Sequence, residues 1–199
     1  MNENQNTEWK ESWRDEYLKW ICGFANAQGG KLIIGKTYKG VIKGILEAKS
    51  LLEIIPNKVR DMLGIIVDVN LKTEQGKDYL EIIVDPYPYP ISYKGQYYYR
   101  SGSTKQELKG TALDSFLLRK QGKHWDGVPV PQVSTENLYS ATLLQFRQIA
   151  RKSGRLDDSI LDEKDDALIE KLKLWEGKYL KRAAVLLFHP DPEKFVTGA

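Results

Sequence analysis

The sequence predicts an α+β fold: a mixed, largely antiparallel sheet flanked by helices, followed by a small, incomplete second α/β unit. Short alternating or β-branched runs separated by turn sequences predict strands. Apolar residues at helical spacing interrupt these runs and predict helices between them. The Pro-rich segment 128–131 then precedes a more acidic remainder, which indicates a second unit. Strands and helices in this irregular order are typical of α+β domains.

The first predicted elements are a strand, a helix and a hairpin. Residues 7–12 form a short strand, and residues 13–27 a helix whose apolar stripe should pack on a sheet. Gly29-Gly30 ends that helix, with Asn26 bonded to backbone and one of the glycines at a positive φ. A buried strand at 31–35 and a return strand at 41–45 should follow.

The next elements complete the first unit. A helix is expected over 48–63, opened or divided by Pro56. Two strands joined by a turn, a hairpin around Lys94-Gly95 and a closing helix follow, at 65–73, 78–84, 91–93, 96–100 and 110–121.

Domain limits follow from composition. We expect a first domain over 1–127, a linker over 128–133 and a second region over 134–199. The second region should contain two helices and then a buried strand in the apolar run 183–188. A strand that apolar needs neighbours, and little sequence remains to supply them, so a truncated chain is expected.

Composition excludes several classes of protein. With 41% apolar and 29% charged residues, the 199-residue chain can build a core and stay in solution. No apolar run approaches the roughly 20 residues that span a bilayer, and the first residues lack a signal peptide's apolar segment. Cys22 is the single cysteine, so no internal disulfide can form. A cytoplasmic protein without membrane contact is expected.

Charge is distributed unevenly although the net charge is only +3. The stretch from Lys94 to Lys123 contains seven basic and two acidic residues. From Arg155 to Lys178, acidic residues outnumber basic ones. Two surfaces with different tasks would explain this pattern, as would two ordinary solvated faces.

Three segments carry a resemblance to a known family. Residues 8–12, 17–35 (with Gly-Phe-Ala-Asn and Gly-Gly) and 98–108 (with Tyr-Arg-Ser-Gly-Ser) resemble the Schlafen/AlbA-type DNA-binding domain. Such domains begin bacterial transcriptional regulators and RecG-like helicase-related proteins. The resemblance implies a Schlafen AlbA-like fold that binds DNA or RNA, with a helix-turn-helix in longer members. No phosphate-loop motif supports a helicase activity here.

The predicted nucleic-acid contacts centre on the Arg-Ser-Gly-Ser-Thr-Lys run. Glycine permits a tight bend that exposes amide groups beside hydroxyls and cations, a plausible phosphate cradle. The alternative is an ordinary strand-ending loop. Tyr98 should pack, whereas Tyr97 and Tyr99 could pack or stack on bases. The predicted binding residues are Lys10, Arg100, Ser101, Gly102, Ser103, Thr104, Lys105, Arg119 and Lys120.

Two alternative functions stay open. Vertebrate Schlafen relatives include endoribonucleases with two glutamates and a later aspartate, which implies a metal-dependent nuclease site at Glu3, Glu8 and Lys10. The third acid is missing, because Lys36 and its neighbours stand where relatives carry aspartates. The other alternative is a dimerisation or interaction module, with a homodimer as its product. Neither His124 nor His189 has partners at zinc spacing. We therefore predict no catalytic residues, no metal and no cofactor, except a divalent metal under the nuclease alternative.

Overall fold

The computed structural model describes residues 3–196, and the chain divides into two compact units between Gln121 and Gly122. In the first unit the strands are β1 (Thr7–Lys10), β2 (Gly30–Ile34), β3 (Asp68–Glu74), β4 (Lys77–Val84), β5 (Ser92–Tyr93), β6 (Gln96–Ser101) and β7 (Thr104–Glu107). The helices are α1 (Leu18–Asn26), α2 (Ala48–Leu63) and α3 (Gly110–Lys120), and a 3-10 turn, Asp15–Tyr17, precedes α1.

Two sheets organise the first unit. The larger has the strand order β1-β2-β4-β3, in which β1 and β2 run parallel and the other pairs antiparallel. The parallel pair is possible because α1 carries the chain back between its strands. The smaller sheet, β5-β6-β7, is antiparallel. Mixed, largely antiparallel pairing with flanking helices confirms the predicted α+β class.

The core lies on one face of the larger sheet. Leu32, Ile34, Leu80 and Ile82 project from β2 and β4 and are fully buried with side chains of α1 and α2. Side chains alternate across a strand, so their neighbours project to the opposite face. Cross-strand partners share a face, and this outer face therefore carries Thr7, Trp9, Lys31, Ile33 and Glu81.

The end of α1 is fixed by Asn26 and the two glycines after it. Asn26 is 2% exposed; its Nδ2 donates to the Ile91 and Tyr98 carbonyl oxygens at 2.7 and 2.8 Å. Its Oδ1 accepts from the Ile91 amide at 2.8 Å. Gly29 takes a φ of 76°, and a Cβ on Gly30 would lie 2.4 Å from Phe24. The predicted bonding of Asn26 to backbone is confirmed, and the positive φ predicted for one of the two glycines falls on Gly29.

The predicted return strand over 41–45 is wrong. The segment is a loop that contributes one isolated bridge, Lys36 to Ile42. Gly35, Gly40 and Gly44 all have positive φ, so the chain turns repeatedly instead of extending. An additional short strand, β7, pairs with β6 where the sequence analysis expected a loop.

The second unit has its own core. Its elements are β8 (Pro129–Val130), α4 (Ser140–Ser153), α5 (Asp158–Leu161), α6 (Asp165–Lys171), β9 (Trp175–Glu176), β10 (Tyr179–Lys181) and α7 (Arg182–Phe188). β10 pairs antiparallel with β8 and β9. Residues 128–133 have a linker composition, yet Val130 is buried and pairs with Leu180, so they belong to this unit.

The apolar run 183–188 forms a helix where the sequence predicted a strand. Ala184, Val185 and Phe188 are buried and follow helical spacing, whereas Leu186 and Leu187 are exposed. A continuous apolar run has no periodicity that distinguishes strand from helix. Within residues 3–196, no helix is both long and apolar enough to cross a membrane.

Candidate nucleic-acid interface

A buried ion pair lies between the first strand and the smaller sheet. Glu8 on β1 and Arg100 on β6 are 2% and 1% exposed. Arg100 Nη1 lies 2.8 Å from Glu8 Oε2, but the groups are not aligned as a hydrogen bond, so their attraction is chiefly Coulombic. Lys10 Nζ lies 2.5 Å from Glu8 Oε1. Both carboxylate oxygens thus face a cation, which a buried charge requires.

Arg100 also fastens the N-terminal segment. Its Nη2 donates to the carbonyl oxygens of Asn4 and Thr7 at 2.6 and 3.2 Å, and its Nε donates to that of Gln5 at 3.3 Å. The Gln5 side chain returns a bond to the Arg100 carbonyl at 2.8 Å. This placement argues against the predicted phosphate contact, because the guanidinium lies inside the fold, where its Nε and Nη2 donate to backbone oxygens and its Nη1 faces Glu8.

The predicted phosphate cradle is a two-residue hairpin turn between β6 and β7. Gly102 has a φ of 56°, as the first central position of a type II′ turn requires. Its amide donates to Gln5 Oε1 at 2.5 Å, and Thr104 Oγ1 donates to the Ser101 carbonyl at 2.8 Å. The Gly102 amide is therefore already bonded, whereas Ser101 and Ser103 are exposed.

Beside this turn, two lysines share one aromatic ring. Lys105 Nζ lies 4.7 Å and Lys19 Nζ 5.7 Å from the centre of the Tyr98 ring. Burial, and then the nearby positive charge of Lys19, lower the pKa of Lys105. Two ammonium groups beside the same ring form a positive site that favours a nearby anion. We call Lys19 and Lys105 the lysine pair.

The predicted basic residues of α3 serve different contacts. Lys120 Nζ donates to the Tyr87 carbonyl at 2.5 Å, and burial lowers its pKa. Arg119 is exposed. The rings of Tyr97 and Tyr99 lie 6.1 and 6.2 Å from that of Phe116 on the same helix. Both half-buried tyrosines therefore contact α3.

A cleft that the sequence analysis did not identify lies at the C-terminal end of β1. It encloses about 440 Å³ and is lined by four cations, three aromatic residues, one acid and one serine. We call it the basic cleft. Lys10 Nζ lies 4.7 Å from the Trp20 ring centre and 5.6 Å from that of Tyr17. Its lining residues are Trp9, Lys10, Glu11, Ser12, Arg14, Tyr17, Lys36, Tyr38 and Lys43.

The loop over 36–47 supplies one wall of the basic cleft. Tyr38 is 72% exposed, and Lys43 pairs with Glu11 at 2.7 Å. The signal was present in the sequence, where lysines recur through Lys-Thr-Tyr-Lys-Gly-Val-Ile-Lys. That run was predicted as a hairpin, and Lys36 was considered only as a residue at the position of a missing metal ligand.

The residues of the nuclease alternative have structural contacts. Glu3 Oε1 accepts the Trp9 amide at 3.0 Å, and Glu8 is neutralised by Lys10 and Arg100. Across the part of the chain that the structure describes, no three or more His, Cys, Asp or Glu side chains group as metal ligands would. The carboxylates that would hold a divalent ion are thus engaged elsewhere.

The fold and the site define a class: an α+β domain whose surface combines cations with aromatic side chains. A family model described as Schlafen, AlbA_2 matches residues 3–109, which is more than half of the chain. The chain belongs to this family, as its sequence resemblance predicts. No curated protein matches the chain.

Solved structures give weaker likenesses. The DIP2311 protein of Corynebacterium diphtheriae is 19% identical with a TM-score of 0.49, over 93% of this chain and 40% of that one. The N-terminal domain of a RecG-related protein of Nitrosomonas europaea is 22% identical with a TM-score of 0.39, over 55% of this chain and 87% of that one. The chain therefore spans less than half the length of the DIP2311 protein.

Proposed function

We propose that the first unit binds nucleic acid and contacts its phosphate backbone through the basic cleft and the lysine pair. The observation that carries the proposal is the convergence of Lys10, Arg14, Lys36 and Lys43 on one cleft whose lining contains a single acid, Glu11. Two of these cations also form ion pairs, Lys10 with Glu8 and Lys43 with Glu11. Cations that neutralise phosphates release counterions, which supplies most of the affinity for a polyanion. The exposed Tyr38 ring adds a surface on which a base can stack.

The hairpin turn between β6 and β7 also belongs to the proposed interface. Ser101 and Ser103 are exposed beside the lysine pair, and hydroxyl groups commonly donate to phosphate oxygens. Arg100 supports the contact indirectly, because its bonds to residues 4–7 hold β1 against β6. Arg119 and Lys120 lie on α3, where an exposed arginine can extend the contact along a backbone.

We further propose that the nucleic acid is DNA and that the domain serves a transcriptional regulator. The resemblance of the sequence supports this proposal. Contacts to phosphate carry no sequence information, so selection of a target would come from elsewhere in such a regulator. A homodimer and a cytoplasmic location stay predictions.

The test is a fluorescence-anisotropy titration of short single- and double-stranded DNA and RNA at two salt concentrations. We expect binding that weakens with salt and falls about tenfold in the double variant Arg14→Ala/Lys43→Ala, because two phosphate contacts are lost. Lys49→Ala, at an exposed position of α2, is the matched control and should bind like the wild type.

Two outcomes would refute the proposal. One is the absence of affinity for all four ligands at low salt. The other is an affinity that is the same in the Arg14→Ala/Lys43→Ala variant as in the wild type. That result would place the contact on another surface.

A further inference from the structure

A second concave site lies on the outer face of the larger sheet, opposite the core. Thr7 and Trp9 of β1 stand beside Lys31 and Ile33 of β2, and Glu81 of β4 lies across from Ile33. The loop that follows β2 closes one side. The site encloses about 420 Å³, and we call it the outer pocket; it is lined by Asn4, Thr7, Trp9, Lys31, Ile33, Lys36, Lys39, Gly40 and Glu81.

The chemistry of the outer pocket is divided between an apolar wall and a charged rim. Trp9, which is 6% exposed, and the half-buried Ile33 form the wall. Three lysines face one carboxylate, Glu81, which pairs with Lys31 at 3.2 Å. Lys36 and Lys39 pair with no acid among the described residues; their ammonium groups lie 4.8 and 5.6 Å from the ring centres of Tyr79 and Tyr38. The rim is therefore positive and has two lysines free to meet an anion.

We propose that the outer pocket binds one nucleoside phosphate, with the base against Trp9 and Ile33 and the phosphate at Lys36 and Lys39. A pocket of this size lies within the range of small-molecule sites, which combine apolar walls with a few polar groups. A flat base needs such a wall, and a phosphate needs cations without carboxylate partners.

Glu81 supplies the group that can distinguish bases. A carboxylate accepts hydrogen bonds, so it favours base edges that present N–H donors and disfavours those that present only acceptors. Its pairing with Lys31 holds it at the rim, 18% exposed and in reach of a ligand. Thr7 and Asn4 add a hydroxyl and an amide to the lining of the same pocket.

The inference rests on the proposed function, because the outer pocket and the basic cleft share Trp9 and Lys36. A strand held in the basic cleft could place one of its nucleotides in the outer pocket. A free nucleotide carries the same chemistry, and competition between the two distinguishes these sources.

The experiment is a calorimetric titration of the whole chain with the four nucleoside 5′-monophosphates, and with inorganic phosphate as the reference probe. We expect at least one monophosphate to bind with a Kd below about 1 mM and more tightly than phosphate. Lys39→Ala, which changes the outer pocket alone, should weaken it about tenfold through loss of a charge-assisted bond. Lys49→Ala, at an exposed position of α2 outside both sites, is the matched control and should leave it unchanged. Glu81→Gln should alter the order of preference among bases.

Competition with a bound oligonucleotide completes the experiment. Displacement of the oligonucleotide by the monophosphate would assign the pocket to a nucleotide of the strand, and binding without displacement would assign it to a free nucleotide. If no monophosphate binds better than inorganic phosphate, or if Lys39→Ala has no effect, the inference is overturned. Oligonucleotide affinity that persists in that case leaves the proposed function standing.

Discussion

The buried ion pair and the basic cleft put the same kind of residue to opposite uses. Arg100 is 1% exposed, forms an ion pair with Glu8 and donates to backbone oxygens, whereas the Lys43 side chain is 60% exposed. Removal of an ion from water costs several kcal/mol, so the fold must satisfy a buried cation itself. An exposed cation keeps its hydration and can exchange it for a phosphate. Whether a cationic side chain can bind phosphate therefore depends on its burial and not on its position in a basic stretch of the sequence.

The largest effect on the free energy of unfolding is expected for a substitution in the buried ion pair. Arg100→Ala would leave Glu8 buried with one of its two cations missing and should lower the free energy of unfolding by about 3–5 kcal/mol. Urea unfolding followed by circular dichroism measures it. Lys105 is the cross-strand partner of Arg100 and is partly exposed, so Lys105→Ala should change stability by no more than about 0.5 kcal/mol. Equal losses in the two variants would show that the interior pair is not distinct from the surface.

A smaller loss is expected at Asn26, the other polar residue of this interior. Asn26→Ala would leave the bonded groups of Ile91 and Tyr98 without partners and should cost about 1–3 kcal/mol. Asn57→Ala is the control, since Asn57 makes one exposed bond to the Glu53 carbonyl.

The reaction rate of the Cys22 thiol gives a second measurement on the same region. It is fully buried, and burial raises the pKa of its thiol to about 11, so the native protein should react slowly with a thiol reagent. The Asn26→Ala variant should react faster than the Asn57→Ala control. Identical rates would mean that Asn26 does not hold α1 in place.

Periodicity in the sequence predicted much of the first unit. The apolar stripe of α1, the buried strand β2 and the positive φ of Gly29 are all local features, and local pattern was sufficient for them. The loop over 41–45 and helix α7 were missed, the first because three glycines turn the chain and the second because a uniform apolar run has no period.

The candidate site was less predictable for a physical reason. Whether Arg100 points outward depends on Glu8, 92 positions earlier, and no spacing along the chain reveals that pairing. The basic cleft likewise joins residues 9–17 to residues 36–43 through the parallel pairing of β1 with β2. Lys10 lies in a strand that the local pattern predicted, and it was among the predicted binding residues. Lys36 was seen but interpreted only through a metal site.

At the surface, the lysine pair should contribute less to binding than the basic cleft. The double variant Lys19→Ala/Lys105→Ala removes two cations, and one of them, Lys105, already contacts the Tyr98 ring. We expect the dependence of log affinity on log salt to become shallower by about 1, as for one lost phosphate contact. Anisotropy titrations across a salt series measure this slope. An unchanged slope would remove the lysine pair from the interface and leave the basic cleft alone.

The smallest effect is the titration of Lys105 itself. Burial and then Lys19 lower its pKa in the folded chain, whereas in the unfolded chain a lysine titrates near 10.4. Between those two values the unfolded chain binds more protons, so the contribution of Lys105 to the free energy of unfolding rises with pH. Urea unfolding of the wild type and of Lys105→Met, from roughly pH 8 to pH 10, isolates this contribution. Because much of the side chain is exposed, water screens the interaction and the rise should be small. The stability of the wild type relative to Lys105→Met should increase with pH over this range; a constant or falling difference would show that burial and Lys19 do not lower the pKa of Lys105 in the folded chain.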